Sequence, residues 1–260
     1  MEAACLSAPT ERFSSRAENY ARYRPGYPQA AIDLLAARCE LHAESAVADV
    51  GSGTGLLSEP FLERGARVFG VEPNGAMRAA AEARLAGRPR FYSLKATAEA
   101  TTLPPESIDL WVAGQAFHWF EALAARREAL RVLRSGGWGA MLWNEHPPQR
   151  SPFLRGYDRL LRRHAAEYAT VVARRLDEER MREFFGGAME RATFPNPQAL
   201  DYAGLEGRLL SSSYAPEPGH PHYAPMMQEL RTLFDRHQRK GQVVFPYVTR
   251  VYLRRLRPLG

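Results

Sequence analysis

Residues 47–57, VADVGSGTGLL, decide the fold of this chain. Gly51, Gly53 and Gly55 alternate with small residues between an apolar run and a helix-like one. Glycine tolerates the positive φ of a tight turn, so the stretch reads as a strand bending directly into a helix. Working outward, the spacing predicts a strand over 46–50, a helix over 56–64 stopped by Gly65, and a second strand over 66–71. Asn74 is placed to cap a helix running to residue 85, with Gly87 and Pro89 closing it. A third strand over 91–96, a Leu103-Pro104-Pro105-Glu106 turn and a fourth strand over 108–113 follow. A helical period over 121–133 stops at Ser135-Gly136-Gly137 and leads to a fifth strand over 139–143. Strand and helix alternation of this kind implies a parallel sheet with crossover helices.

Beyond Asn144 the rhythm changes. Residues 146–185 hold a proline-rich stretch and then an arginine-rich helical pattern, with Leu154, Tyr157, Leu160 and Leu161 on one face, which reads as an inserted cap. A strand over 189–194, a break at Asn196-Pro197, a helix to about 209, a loop over 216–225, a helix over 226–239 and an alternating strand over 243–253 complete the chain. The organisation expected is an N-terminal segment (1–40) covering the site, a core (41–145), a helical cap (146–187) and a C-terminal completion of the sheet (188–260).

Composition narrows the function. The 260 residues are 45% hydrophobic and 25% charged, and no apolar run approaches the ~20 residues that span a bilayer. No basic stretch followed by an apolar one marks a secretory signal, and the first ten residues are expected to be loose. Cys5 and Cys39 are too few for a disulfide framework or a cysteine zinc site, which suits a reducing cytoplasm. His220 and His222 lack a third ligand at recognisable spacing, so no metal is expected. The net charge of +6 raises the question of nucleic acid. The arginines are scattered and often stand beside acids, as in LDEERMR at 176–182, so nucleic-acid binding is disfavoured.

The glycine bend distinguishes two ligand classes. A dinucleotide fingerprint spaces its glycines G-x-G-x-x-G, but Leu56 stands where the third belongs. Asp49, two residues before Gly51, would repel a pyrophosphate and attract a cation. Glu72 ends the second strand, about 20 residues on, where a carboxylate accepts hydrogen bonds from ribose hydroxyls. The ligand expected carries a ribose and a positive charge and no phosphate, which S-adenosylmethionine satisfies. A nicotinamide-dependent oxidoreductase is disfavoured on the same residues. The alternative is that the glycines serve only the turn.

DVGSGTG, VEPN, ATAEATTLP, IDLWVAGQAFHWF and LRVLRSGGWGAMLW together resemble the class I S-adenosylmethionine-dependent methyltransferases of the type 11 group. AFHWF and YARYRPGYP resemble the branch that includes trans-aconitate methyltransferase-like proteins. The likeness covers roughly residues 13–145. It implies a Rossmann-like, doubly wound α/β sheet of seven strands, the last antiparallel, and methyl transfer to a small-molecule acceptor such as a carboxylate or hydroxyl. An RNA acceptor would use the same core.

The resemblance also implies roles. Asp49, Gly51, Ser52, Gly53 and Gly55 would form the cofactor loop, Glu72 the ribose acid, and Pro73, Asn74 and Met77 the adenine flank. Thr97 and Ala98 match residues that contact the adenine, although many relatives carry Asp where Thr97 stands. Gln115 and Ala116 follow the fourth strand, where the methyl donor faces its acceptor. Tyr20 and Arg24 match a segment that folds over the cofactor, with Arg24 available to the methionine carboxylate. Tyr23, Phe117, His118 and Trp119 would line the acceptor side. His118 is the candidate general base, or a hydrogen-bonded residue with no part in the reaction. Arg150 and Arg155 are placed to clamp an acidic acceptor.

Overall fold

The computed structural model describes residues 16–147, 151–174 and 177–257; the first ten residues, Cys5 and Arg150 lie outside them. Strand β1 (Ala46–Val50) is buried at all five positions, as expected of a central strand covered on both faces. It pairs in parallel with β2 (Arg67–Val71) and β4 (Ile108–Gly114). Strand β3 (Phe91–Leu94) adds outside β2, and β5 (Leu133–Glu145) adds beside β4. The sheet order is β3-β2-β1-β4-β5-β7-β6, with β7 (Val243–Arg255) antiparallel to both β5 and β6 (Glu190–Leu200). This is the Rossmann-like, doubly wound sheet with its last strand reversed.

Side chains alternate across the sheet, so each strand feeds two cores. On one face, Val47, Val68, Leu110 and Leu142 pack with Ile32 and Leu35 of α2 (Gln29–Arg38) and Phe61 of α3 (Ser58–Glu63). On the other, Trp111 and Met141 meet Ala125 and Ala129 of α5 (Ala122–Val132) and Phe184 and Phe185 of α8 (Glu178–Phe185). The Trp111 and Phe184 rings lie 4.6 Å apart. Helix α4 (Gly75–Arg84) begins as expected, with Asn74 Oδ1 accepting from Met77 N at 3.0 Å.

Two expectations give way. Ser135-Gly136-Gly137 does not separate a helix from a strand: α5 ends at Val132, and Leu133 already pairs with Ile108. The register then shifts so that Trp138 meets Leu110, and the glycines form an irregularity inside β5. Asn196-Pro197 does not end the sixth strand either, since pairing with β7 continues to Leu200↔Val243. β6 is the sheet edge, and Pro195 and Pro197, two residues apart, turn their nitrogens the same way, out from the ladder, where no donor is needed.

A third core forms a helical lobe beyond the carboxyl ends of the parallel strands. Leu154, Leu160 and Leu161 of α6 (Pro152–His164) pack with Leu205 and Leu209 of α9 (Tyr202–Leu210) and Met226 and Leu230 of α10 (Tyr223–His237). A short helix, α7 (Tyr168–Arg174), contributes Tyr168 and Val171. The lobe thus draws on residues before and after β6, while α8 belongs to the sheet. Helix α1 (Ala17–Tyr23) is latched to this lobe: buried Arg16 donates to the carbonyls of Ser212 and Ala215, the latter at 2.7 Å. No helix among the described residues is long and apolar enough to cross a membrane.

Candidate active site

The glycine bend leaves the carboxyl end of β1 and is tied to β2, because Gly51 N and Ser52 N both donate to Val71 O, at 2.8 and 3.2 Å. Gly51, Gly53 and Gly55 have φ of +69°, +55° and +79°, a region L residues avoid. Their neighbourhoods differ. A Cβ on Gly51 would stand 2.5 Å from Ala116 Cβ, and one on Gly55 2.9 Å from Leu85 Cδ1, whereas Gly53 faces open space. Gly51 and Gly55 let protein segments approach; Gly53 leaves room for something else.

Two carboxylates flank the bend. Asp49 is buried, with Oδ2 accepting from Ser58 Oγ at 2.6 Å and Oδ1 without a hydrogen-bond partner among the described residues. Burial pushes its pKa up to about 7, against the Ser58 hydrogen bond. Glu72 Oε2 accepts from Gly53 N at 3.0 Å and Oε1 from Asn74 N at 2.8 Å. Burial raises the Glu72 pKa too, and these backbone donors oppose it. Arg78 Nη1 holds the carbonyls of Glu72 and Pro73 at 2.9 and 3.0 Å, fixing the turn.

Two adjoining cavities open at this edge. The smaller, about 110 Å³, is lined by Glu72, Pro73, Asn74, Met77, Ala116 and Trp119. The larger, about 230 Å³, takes in Asp49, Ser52 and Arg24 and runs into the helical lobe. Tyr20, Gly51, Gly53, Gly114 and Gln115 line both. Gln115 has φ of +58°, an unfavourable conformation held by its N–H on Leu142 O at 2.9 Å and its Nε2 on Asn144 O at 3.0 Å. Strain of this kind beside a cavity is a mark of a binding edge.

The N-terminal segment forms part of the wall. Arg24 Nε donates to Ser211 Oγ at 2.9 Å, and its guanidinium sits 4.9 Å from the centre of the Tyr20 ring. The following turn is pinned to the end of β5: Asn144 Nδ2 donates to Pro25 O and Gly26 O at 3.3 and 3.1 Å.

Other expected residues stand apart from both linings. Gly55 packs against α4, Thr97 is exposed and Ala98 is buried. Tyr23 lies over Gly207 of α9. Phe117 is buried, its ring 5.4 Å from Phe184, and His118 rests its ring 4.6 Å from Trp119 and 5.4 Å from Trp143. Arg155 lines neither cavity. His220 and His222 stack at 5.5 Å, and the described residues contain no group of three or more His, Cys, Asp or Glu placed to hold a metal. The larger cavity also has walls the sequence did not announce: Tyr157 and Arg208 come from helices α6 and α9, and Tyr214 and Tyr247 from distant positions. No local motif marks them. Asn144, a polar residue closing an apolar strand, is the one signal that was available.

Known proteins resemble the chain over the same stretch. A family model described as a methyltransferase domain matches residues 48–141. The chain is 39% identical over 132 residues to an uncharacterized methyltransferase of Mycobacterium tuberculosis, covering 51% of each. It therefore spans about half the length of the curated relatives it matches. Among solved structures, a protein of Anaeromyxobacter dehalogenans assigned as a type II methyltransferase has a TM-score of 0.62 at 24% identity, over 91% of this chain and 100% of that one. A phosphoethanolamine N-methyltransferase of Haemonchus contortus, solved with phosphomonomethylethanolamine and S-adenosylhomocysteine, has a TM-score of 0.53 at 13% identity, over 92% of this chain and 56% of that one. Residues 48–141, which carry the glycine bend and lie within the seven-stranded sheet, thus match a methyltransferase domain.

Proposed function

We propose that the chain transfers a methyl group from S-adenosylmethionine to a small-molecule acceptor, with a carboxylate or hydroxyl as the accepting group. The observation that carries the reading is the pair of buried carboxylates, Asp49 and Glu72, on adjacent strand ends around an open glycine. The residues fit the cofactor. Asp49 Oδ1 is a buried acceptor with no donor, suited to an ammonium, and Gly53 leaves space along the backbone. Glu72 keeps lone pairs free beyond its two backbone donors, suited to vicinal hydroxyls. The neighbour solved with S-adenosylhomocysteine has the same fold, which supports the assignment.

When bound, S-adenosylmethionine supplies a methyl group already activated by its sulfonium. The chain's task is then alignment and exclusion of water. Gln115, held in its strained conformation, walls the edge where the cavities meet, and Trp119 lines the smaller one. Tyr20 and Arg24 close it from the N-terminal side. A carboxylate acceptor needs no base, in keeping with a larger cavity whose lining does not include His118. The paucity of cysteines supports a cytoplasmic setting.

Calorimetry with S-adenosylhomocysteine and with NAD, followed by a screen of small acids, phenols and amines with radiolabelled methyl donor, tests the proposal. Binding of the first ligand alone, and label transferred to a small acceptor, are expected. Preference for NAD would overturn it.

A further inference from the structure

Arg208 lies inside the helical lobe, 4% exposed, and lines the larger cavity. Its Nε donates to Tyr247 Oη at 2.7 Å and its Nη1 to Ser212 Oγ at 3.1 Å. Among the described residues no carboxylate pairs with it, and Nη2 makes no hydrogen bond. A guanidinium stays charged at any physiological pH, and a buried charge without a counter-ion is costly. Such a group persists where a ligand supplies the missing charge.

The surroundings strengthen the point. Ser212 Oγ also accepts from Arg24 Nη2 at 3.3 Å, so one hydroxyl joins two cations at the cavity wall. Besides Asp49 at the glycine bend, two acids reach the same cavity, and each is already matched. Asp158 accepts from Tyr168 Oη at 2.7 Å and from Arg162 Nε at 2.8 Å, and Glu145 pairs with Arg250 at 3.2 Å. Tyr157, 3% exposed, also lines the cavity, and its hydroxyl has no hydrogen-bond partner among the described residues. It is close enough to Arg208 to feel its charge. Nη2 and the Tyr157 hydroxyl are therefore two uncommitted donors, the number a planar carboxylate takes. The same wall also carries the apolar and aromatic side chains of Leu154, Leu161 and Tyr214.

We infer that Arg208 and Tyr157 form an anion site that anchors a compact aromatic or apolar carboxylic acid as the methyl acceptor. This deepens, and rests on, the methyl-transfer reading of the cavity. It moves the acid clamp from the cap arginines expected from sequence to α9. A cavity of about 230 Å³ that also takes in Asp49 and the glycine bend suits a small acid rather than a polymer.

The test titrates benzoate and its neutral counterpart benzamide into protein loaded with S-adenosylhomocysteine, followed by calorimetry and ligand-detected NMR. Benzoate is expected to bind and benzamide to bind at least tenfold more weakly. Arg208→Gln should weaken benzoate on the order of tenfold or more and leave S-adenosylhomocysteine affinity unchanged. Tyr157→Phe removes only a hydroxyl with no hydrogen-bond partner among the described residues, so it keeps the test decisive if Arg208→Gln fails to fold. It should weaken benzoate several-fold with the same unchanged cofactor affinity. Equal binding of benzamide and benzoate, or full benzoate affinity in a folded variant, overturns the inference. A parallel loss of S-adenosylhomocysteine in Arg208→Gln would assign the arginine to the cofactor and overturn it as well. Failure of S-adenosylhomocysteine to bind the unaltered protein would instead sink the methyl-transfer reading, and with it the acceptor role.

Discussion

Ser58 Oγ, at the start of α3, donates a 2.6 Å hydrogen bond to Asp49 Oδ2 on β1 and leaves Asp49 Oδ1 facing no donor. One hydroxyl is too little to keep a buried carboxylate ionised, so its pKa rises to about 7, against about 3.9 in an unfolded chain. The folded state thus holds this proton more tightly. The resulting stability is fully present below about pH 4 and is lost as pH rises through about 7. A ligand ammonium reverses the balance by favouring the ionised form. S-Adenosylhomocysteine affinity is therefore expected to climb between pH 6 and pH 8, and Asp49→Asn to bind weakly with a flat profile. Calorimetry across that range decides; a flat profile in the unaltered protein would remove Asp49 from the site.

Glu72 meets a different environment, because two backbone donors already stabilise its charge. Its further lone pairs would receive ribose hydroxyls. Glu72→Ala should cost about 1.5–3 kcal/mol of cofactor binding, roughly ten- to a hundredfold in Kd. Unaltered affinity in a folded variant would refute the ribose assignment.

The glycines of the bend make a contrasting pair. Gly51→Ala meets both a left-handed backbone and Ala116 Cβ at 2.5 Å, while Gly53→Ala meets only the backbone penalty, about 1–2 kcal/mol. Thermal unfolding should show Gly51→Ala as clearly the less stable. Gly53→Ala should fold and lose cofactor affinity beyond its loss of stability, because its methyl group enters the cleft. Equal unfolding temperatures would contradict the packing argument.

His118 holds its ring tilted against Trp119 and Trp143 and does not line either cavity. His118→Ala is expected to lower the unfolding temperature while kcat at saturating acceptor stays within a few-fold. General-base work supplies about a hundredfold or more. A kcat loss of that size, with the fold intact, would put His118 in the reaction.

The sheet was legible because its signals are local. Asn74 caps α4 through its own side chain, and the strand at Ala46–Val50 is apolar but for Asp49 and buried at every position because both faces are covered. The two misread boundaries each involve a residue whose local preference is overridden by position. Glycines usually end elements but here make an irregularity within β5, and prolines usually end strands but are harmless on the open edge of β6. The proposed cofactor side could be named from sequence for the same reason as the sheet: Asp49, Gly51, Gly53 and Glu72 all sit at strand ends, at spacings set by one strand-turn-helix unit.

What the sequence determined by itself, then, is the alternation of elements, the bend and the two acids beside it, since each depends on neighbours within about 25 residues. The tertiary structure alone supplied the wall proposed for the acceptor. Arg208 and Tyr157 stand 51 positions apart on ordinary amphipathic helices, and nothing in either helix distinguishes them from residues packed in a core. Only the docking of α6 against α9 and α10, over the edge of the sheet, turns those two side chains into the wall of a cavity and leaves a buried charge without its partner.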